Sequence, residues 1–201
     1  MIVDLGTGKS WRHLDNTPQV RPQQQVVPFV WGEALYSIPG PGQAVTYLSF
    51  GSDGIALSSD GETLFWSAVG SRYLYSIPAV RLRDTSALSE IMALASVVSR
   101  GEKGVSDGLE TDTNGFIYFG IAEQNAIGIF NPVNGTVNTF IRDPRFSWTD
   151  TMSVSTDGYL YFTENQLWRS PSFYPGVDRR VRPFALFRVK LPNNGTKVLL
   201  M

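Results

Sequence analysis

Three aspartates recur at equivalent places in this sequence, at or just before a short apolar strand pattern: Asp53, Asp107 and Asp150. Asp107 follows Asp53 by 54 residues, and Asp150 follows Asp107 by 43. If the repeating modules stand around one axis, these positions converge and form an acidic ring at one mouth of a channel. Such a ring could pair with a cationic amine, relay a proton or hold calcium together with amide oxygens. Alternatively, each aspartate accepts backbone N–H groups in its own turn.

Three further side chains could line the same channel. Asn125 and Asn165 come at strand–turn junctions, shortly after Glu123 and Glu164. We expect Asn165 on the channel wall, whereas Asn125 could bind a ligand or hold a turn. Trp148 could stack on an aromatic ligand or fill the core between modules.

Several kinds of site are excluded by composition. The chain has no cysteine and a single histidine, His13, which we expect at the surface of an early hairpin. Thiol chemistry therefore has no residue to perform it, and the isolation of His13 argues against a Ser-His-Asp triad or a multi-histidine metal site in this part of the protein. The formal net charge of −1 gives no reason to expect nucleic-acid or membrane binding. No apolar run reaches the roughly 18–20 residues of a membrane span.

The aspartates need strands to position them, and three hairpin signals provide these. Asp60-Gly61, Asn114-Gly115 and Asp157-Gly158 each lie between stretches of alternating apolar residues. Such dipeptides favour two-residue turns between antiparallel strands. An antiparallel unit that recurs every 40–50 residues or so is typical of a β-propeller blade.

The sequence therefore predicts an all-β fold: a partial β-propeller with about three blades, part of a fourth and one inserted helix. A closed ring has about four to eight blades, so we expect a longer protein whose missing N-terminal half completes the same propeller. A dimer that closes the ring is the alternative. The expected divisions of the single domain 1–201 are a blade remnant 1–44, blade 45–82, helix 84–99, blade 105–141 and blade 148–191.

Two finer expectations concern elements around these blades. The helix should pack an apolar stripe against the blade edges, formed by Leu88, Ile91, Met92, Ala95 and Val98. The third blade should contain a strand at Gln166–Arg169 and a last strand at Phe184–Leu191.

Several stretches resemble the major royal jelly protein / Yellow family. Residues 52–58 (SDGIALS) and 72–78 (RYLYSIP) resemble that family's GIALSPDG and LYSVPT motifs. Residues 119–127 (FGIAEQNAI) resemble its FG…QNAI strand, and 148–167 resembles its W.D…DG.LY…NQL signature. The resemblance implies a six-bladed propeller of about twice this length and a secreted, extracellular protein.

The resemblance also implies a function. We expect a small aromatic or amine ligand in the central channel, with Asp53, Asn125, Trp148 and Asn165 as ligand-binding residues. If the protein is a tautomerase of the dopachrome-converting type, Asp107 or Asp150 would shuttle the proton without a metal or other cofactor. The alternatives are a calcium-dependent propeller hydrolase resembling gluconolactonase or strictosidine synthase, and a storage or interaction protein without chemistry.

The sequence contains two sequons for N-linked glycosylation. Asn134-Gly135-Thr136 and Asn194-Gly195-Thr196 would be glycosylated in a eukaryotic secretory route.

Overall fold

The computed structural model describes residues 1–38, 40–174 and 176–199. Two short hairpins come first and are followed by three antiparallel sheets. The strands are β1 Ile2–Val3, β2 Ser10–Trp11, β3 Phe29–Val30, β4 Glu33–Ala34, β5 Ser52–Leu57, β6 Thr63–Ala68, β7 Tyr73–Pro78, β8 Val98–Glu102, β9 Leu109–Thr111, β10 Ile117–Ile121, β11 Ala126–Asn131, β12 Thr136–Arg142, β13 Thr149–Val154, β14 Tyr159–Glu164 and β15 Ala185–Lys190. Two short helices, α1 Ala79–Arg83 and α2 Ser89–Ala95, lie between β7 and β8.

Each of the three sheets is a meander of sequence-adjacent strands. The first sheet has the order β5-β6-β7-β8, the second β9-β10-β11-β12 and the third β13-β14-β15. The first turn of each sheet contains the predicted glycine at positive φ: Gly61 at 75°, Gly115 at 79° and Gly158 at 78°. L side chains rarely adopt this conformation, so each turn favours glycine at this position. The three predicted turns are confirmed.

The inner strands β5, β9 and β13 lie side by side, and two glycines let them approach. A Cβ atom on Gly54 would lie 2.1 Å from the carbonyl oxygen of Asp107, and one on Gly108 would lie 1.8 Å from that of Asp150. No side chain fits at either distance. Each glycine directly follows one of the repeated aspartates, so the closest approach of neighbouring sheets occurs beside those carboxylates.

Apolar layers fill the space between the sheets. The layer between the first and second sheets includes Phe65, Leu74, Ile117, Phe119 and Phe130. The layer between the second and third includes Tyr118, Ile127, Phe146, Leu160 and Phe162. Their burial supplies the main driving force that holds the sheets face to face.

A segment before β5 crosses the end of the three sheets at which the inner strands begin. We call residues 26–38 and 40–48 the mouth segment. Its Val30, Leu35 and Leu48 are buried against an apolar group contributed by all three sheets: Val69, Ala122, Trp148, Trp168 and Phe173. Arg72, between β6 and β7, links the first sheet to the second and to the mouth segment, since it donates to the Glu123 carboxylate at 2.6 and 2.8 Å and to the Val27 carbonyl.

Three sequence expectations differ from the structure. The predicted helix 84–99 is confined to α2, and Val98 begins strand β8. Its expected apolar face points outward: Leu88 and Ile91 are 62% and 66% exposed, whereas Ala93 is buried. The small Ala93 side chain packs against the buried Trp66 and Ile77, and its size lets the helix lie close to them.

The other two corrections concern a turn and a histidine. Residues 167–169 form a 3-10 turn, so the strand expected at Gln166–Arg169 is wrong. The His13 side chain is only 4% exposed. Its ring nitrogens lie 2.8 Å from the Glu90 carboxylate and 2.7 Å from the Asp84 carbonyl, which tether the early hairpin to α2.

The architecture is all-β, with few helices and several antiparallel sheets in a propeller-like arrangement. The number of blades in a complete ring stays a prediction. Among the described helices, none has the length and apolar character needed to cross a bilayer.

The glycine contacts predict the effect of one added methyl group. Gly108→Ala should lower the free energy of unfolding by roughly 2–3 kcal/mol, because Ala forces the inner strands apart. Gly40→Ala is the matched control, since its Cβ would meet only the Gln43 side chain at 3.9 Å. Urea unfolding measures both; equal stability of the two variants would contradict the close approach of β9 and β13.

Candidate functional site

The three repeated aspartates lie at the same end of the inner strands. Asp53 and Asp150 are the second residues of β5 and β13, and Asp107 comes two residues before β9. Burial raises the pKa of the Asp107 carboxyl, and the nearby charges of Asp150 and Asp53 raise it further. The fold therefore brings together the carboxylates whose spacing suggested a shared site.

Asp107 is the most enclosed of the three. It is 7% exposed, and the indole N–H of Trp148 donates to its Oδ2 at 2.8 Å. Burial raises the pKa of Asp107 to about 6, the Trp148 hydrogen bond opposes this, and the two neighbouring carboxylates add to it. A carboxyl with this pKa is partly protonated near neutral pH and can donate or accept a proton.

Asp150 is held by an amide. The Asn165 Nδ2 group donates to Asp150 Oδ2 at 2.7 Å, and the Asn165 Oδ1 atom accepts the Leu167 backbone N–H at 2.8 Å. The second contact fixes which end of the amide faces Asp150. Asn165 therefore stands beside the carboxylate cluster, as the sequence suggested for the channel wall.

Glu164 holds the chain as it enters the third inner strand. Its buried carboxylate accepts the backbone N–H groups of Ser147 and Trp148, both at 2.7 Å, and the hydroxyl of Thr149. Burial raises the pKa of Glu164 in spite of these three donors. The bonds fix the backbone on both sides of Trp148 and so aim its indole at Asp107.

Trp148 and Asn125 are both engaged by the protein itself. Trp148 is 1% exposed and packs in the apolar group beneath the mouth segment, so its immediate role is to position Asp107. Asn125 adopts a left-handed backbone (φ 52°, ψ 49°) at the turn after β10. Its Nδ2 donates to the Phe146 carbonyl at 2.6 Å. Direct contact of either residue with a ligand stays a prediction.

Lys103 is the residue that sequence reasoning missed. It lies four positions before Asp107, is 3% exposed, and has its pKa lowered to about 7 by burial, against the attraction of Asp107. The only sequence signal was its place on the approach to an inner strand. Lysine is so seldom buried that no pattern would have placed its amine inside.

Taken together, the site can hold a positive charge and exchange a proton. Within the described ranges, no group of three or more histidine, aspartate or glutamate side chains has the arrangement of a metal site. Calcium binding stays an alternative that only the sequence suggested.

One prediction follows from the Trp148–Asp107 hydrogen bond. Trp148→Phe removes the N–H donor, so the pKa of Asp107 should move upward from about 6, by about one pH unit. Carboxyl ¹³C NMR during a pH titration measures it. Trp168→Phe is the control, because Trp168 belongs to the same apolar group but its N–H has no partner in the described part of the chain. Equal effects of both variants would assign the change to packing.

A second prediction links Asp107 to stability. Its folded pKa of about 6 exceeds the unfolded value of about 3.9. The unfolded chain therefore releases this proton first as pH rises, and wild type loses stability between about pH 4 and 6. Relative to Asp107→Asn, the loss should be on the order of 2–3 kcal/mol. Urea unfolding at several pH values measures the difference, and a constant difference across this window would contradict the raised pKa.

A solved structure of low sequence identity shares the fold. A gluconolactonase from Xanthomonas campestris matches with a TM-score of 0.50 and 15% identity over 86% of this chain and 58% of its own. Regucalcin, a calcium-binding protein from Agrobacterium tumefaciens, gives 0.45 and 17% over 81% and 52%. Virginiamycin B lyase from Staphylococcus aureus gives 0.42 and 16% over 72% and 42%. The chain spans about half the length of these proteins. No curated protein matches it significantly.

The family comparison is more specific than the shared fold. The family model described as "Major royal jelly protein" matches residues 1–190, which is nearly the whole chain and includes the three aspartates, Trp148 and Asn165. This chain belongs to the major royal jelly protein family.

Proposed function

We propose that the carboxylate cluster of Asp53, Asp107 and Asp150 binds a small aromatic amine at the mouth of the channel. The observation that supports this most directly is that the three carboxylates have no ion-pair partner within 4 Å among the described residues. Like charges held together repel one another, and a bound ammonium group relieves that repulsion.

The neighbouring residues favour an organic cation. Asn165 occupies one oxygen of Asp150, and Trp148 occupies one oxygen of Asp107. The remaining oxygens can accept hydrogen bonds from a primary ammonium, which has three donors. The Trp148 indole that donates to Asp107 belongs to the apolar group beneath the mouth segment, so the carboxylate cluster lies at the edge of an apolar environment.

Proton transfer is the chemistry that this site could add to binding. A carboxyl whose pKa is about 6 is a suitable acid–base group near neutral pH. In a tautomerisation of the dopachrome type, Asp107 would accept a proton from one carbon of the ligand and return it to another position, with Asp150 nearby as the second carboxylate. No redox cofactor is needed, because a tautomerisation transfers no net electrons.

Two other functions remain as alternatives. The gluconolactonase shares 15% identity with this chain, so the likeness concerns the fold, and calcium-dependent ester or lactone hydrolysis has no separate support. A storage or interaction role without chemistry is the other. Secretion is a proposal from the family resemblance, and glycosylation is one from the sequons, whose Asn134 and Asn194 are both exposed.

Calorimetric titration with tyramine tests the binding proposal, and tyrosol, its neutral alcohol analogue, is the matched ligand control. Tyramine should bind and tyrosol should bind at least about tenfold more weakly, the equivalent of about 1.4 kcal/mol. Affinity for tyramine should rise between pH 5 and 7, because Asp107 becomes ionised over this range. Asp150→Asn should weaken binding about tenfold.

Asp15→Asn is the protein control, since Asp15 is 68% exposed and pairs with Arg12 at 3.4 Å. Equal binding of tyramine and tyrosol, or equal effects of the two Asn variants, would contradict the proposed charge recognition. Calcium binding that is lost in Asp150→Asn, with no tyramine binding, would favour the hydrolase instead.

A further inference from the structure

A cleft outside the aspartate cluster lies on the face of the first sheet that points away from the second sheet. Within strand β7, Leu74 is buried in the apolar layer that joins these two sheets. Because side chains alternate along a strand, Tyr73 and Tyr75 project from the opposite face. Residues 16–24 cross that face, where the Trp66 indole N–H donates to their backbone at 3.0 Å. The cleft between this loop and β7 has a volume of about 400 Å³.

Three aromatic rings lead from the core into this cleft. Trp66 is 4% exposed and stacks on Tyr75, with ring centres 5.8 Å apart and planes inclined by 29°. Tyr75 in turn neighbours Tyr73, with ring centres 6.2 Å apart and planes inclined by 33°. Both tyrosines are half-buried and line the cleft, whereas Trp66 is not part of the lining. The row of rings therefore begins in the core and ends at the cleft.

The parts of Tyr73 and Tyr75 that border the cleft are their side chains. Strand β7 pairs with β6 on one side and with β8 on the other, so its backbone is enclosed within the sheet. The two rings therefore form an apolar wall against which a further planar ring can stack. Burial raises the pKa of Tyr75, so its hydroxyl keeps its proton near neutral pH and can donate a hydrogen bond.

Arg21 supplies the only charged side chain in the described lining of the cleft. Its guanidinium donates to the side-chain carbonyl of Asn16, another lining residue, so the charged end of Arg21 borders the cleft. In the ranges that the structure describes, no carboxylate lies within 4 Å of this guanidinium. A guanidinium has several N–H donors, and those that Asn16 does not use stay available to a planar carboxylate, which accepts them in a bidentate pair.

We propose that this cleft binds a small aromatic carboxylate, whose acid group pairs with Arg21 and whose ring packs on Tyr73 and Tyr75. A volume of about 400 Å³ accommodates one six-membered ring with a short acid side chain. The exposed Gln24 amide, also in the lining, is a neutral donor for a ring hydroxyl. None of the three repeated aspartates belongs to the described lining. The site therefore shares no residue with the proposed amine site, carries the opposite charge and does not depend on it.

Calorimetric titration of the whole chain with para-hydroxyphenylacetate tests this. Tyrosol carries the same ring with an alcohol in place of the carboxylate, so it isolates the contribution of the charge. The acid should bind at least about tenfold more tightly than tyrosol. Saturating tyramine should not displace the acid, because Arg21 repels an ammonium group. Equal binding of the acid and tyrosol, displacement by tyramine, or no binding of the acid up to about 10 mM would overturn the proposal.

Arg21→Gln checks the role of the guanidinium. The variant keeps a hydrogen-bonding side chain but loses the charge, so binding of the acid should weaken about tenfold. Arg12→Gln is the matched control, since Arg12 is 67% exposed and pairs with Asp15 at 3.4 Å outside the cleft. Its affinity for the acid should stay within about twofold of wild type. Equal effects of the two variants would assign the binding to general charge attraction and contradict the proposed contact.

Tyr73→Leu checks the role of the rings, and amide ¹⁵N NMR locates the ligand. Loss of the ring should weaken binding of the acid about three- to tenfold. Tyr159→Leu is the control, since Tyr159 and Tyr161 form a similar pair at 6.5 Å on the third sheet, and it should change the affinity by less than about twofold. In the wild-type protein the acid should shift the amide signals of residues 16–24 and 71–75 most. Larger shifts elsewhere would overturn the proposal, even if a variant fails to fold.

Discussion

The close approach of the inner strands at Gly54 and Gly108 is the constraint on which the rest of the site depends. Each glycine packs on the carbonyl oxygen of the aspartate in the next sheet. The same contact that joins two sheets therefore places their carboxylates side by side. In each Asp-Gly pair the glycine allows the close approach of two inner strands, and the aspartate lies directly beside that contact.

Hydrogen bonds from other groups position the aspartate carboxylates at this junction. Trp148 and Asn165 each donate one hydrogen bond to a different aspartate, and Glu164 holds the backbone that presents Trp148. The mouth segment packs on an apolar group from all three sheets, and the Arg72–Glu123 pair links the first and second sheets beside it. The carboxylates of Asp107 and Asp150 are thus held in place by hydrogen bonds, and a ligand would meet these two in a prearranged position.

Much of this was predictable from local signals. The Asp-Gly and Asn-Gly turns and the meander order follow from short-range patterns that depend on backbone geometry. The convergence of the three aspartates was predicted from their equivalent places in repeated modules. The predictions that failed concern side chains whose burial is decided by tertiary contacts. The apolar residues of α2 suggested an inward face, yet the helix residues that the structure buries are the small Ser89 and Ala93. The buried amine of Lys103 and the enclosed ring of His13 depend on distant partners, which no local pattern encodes.

The glycine that joins the sheets has no counterpart on the third inner strand, where Asp150 is followed by Thr151. The Thr151 side chain is exposed and branched at Cβ, so another strand cannot come as near there as β9 and β13 come at Gly108. Any neighbour on that flank has to keep a wider separation. The flank of β13 beside Asp150 is therefore built differently from the junctions at Gly54 and Gly108, where an added Cβ atom would meet the next strand.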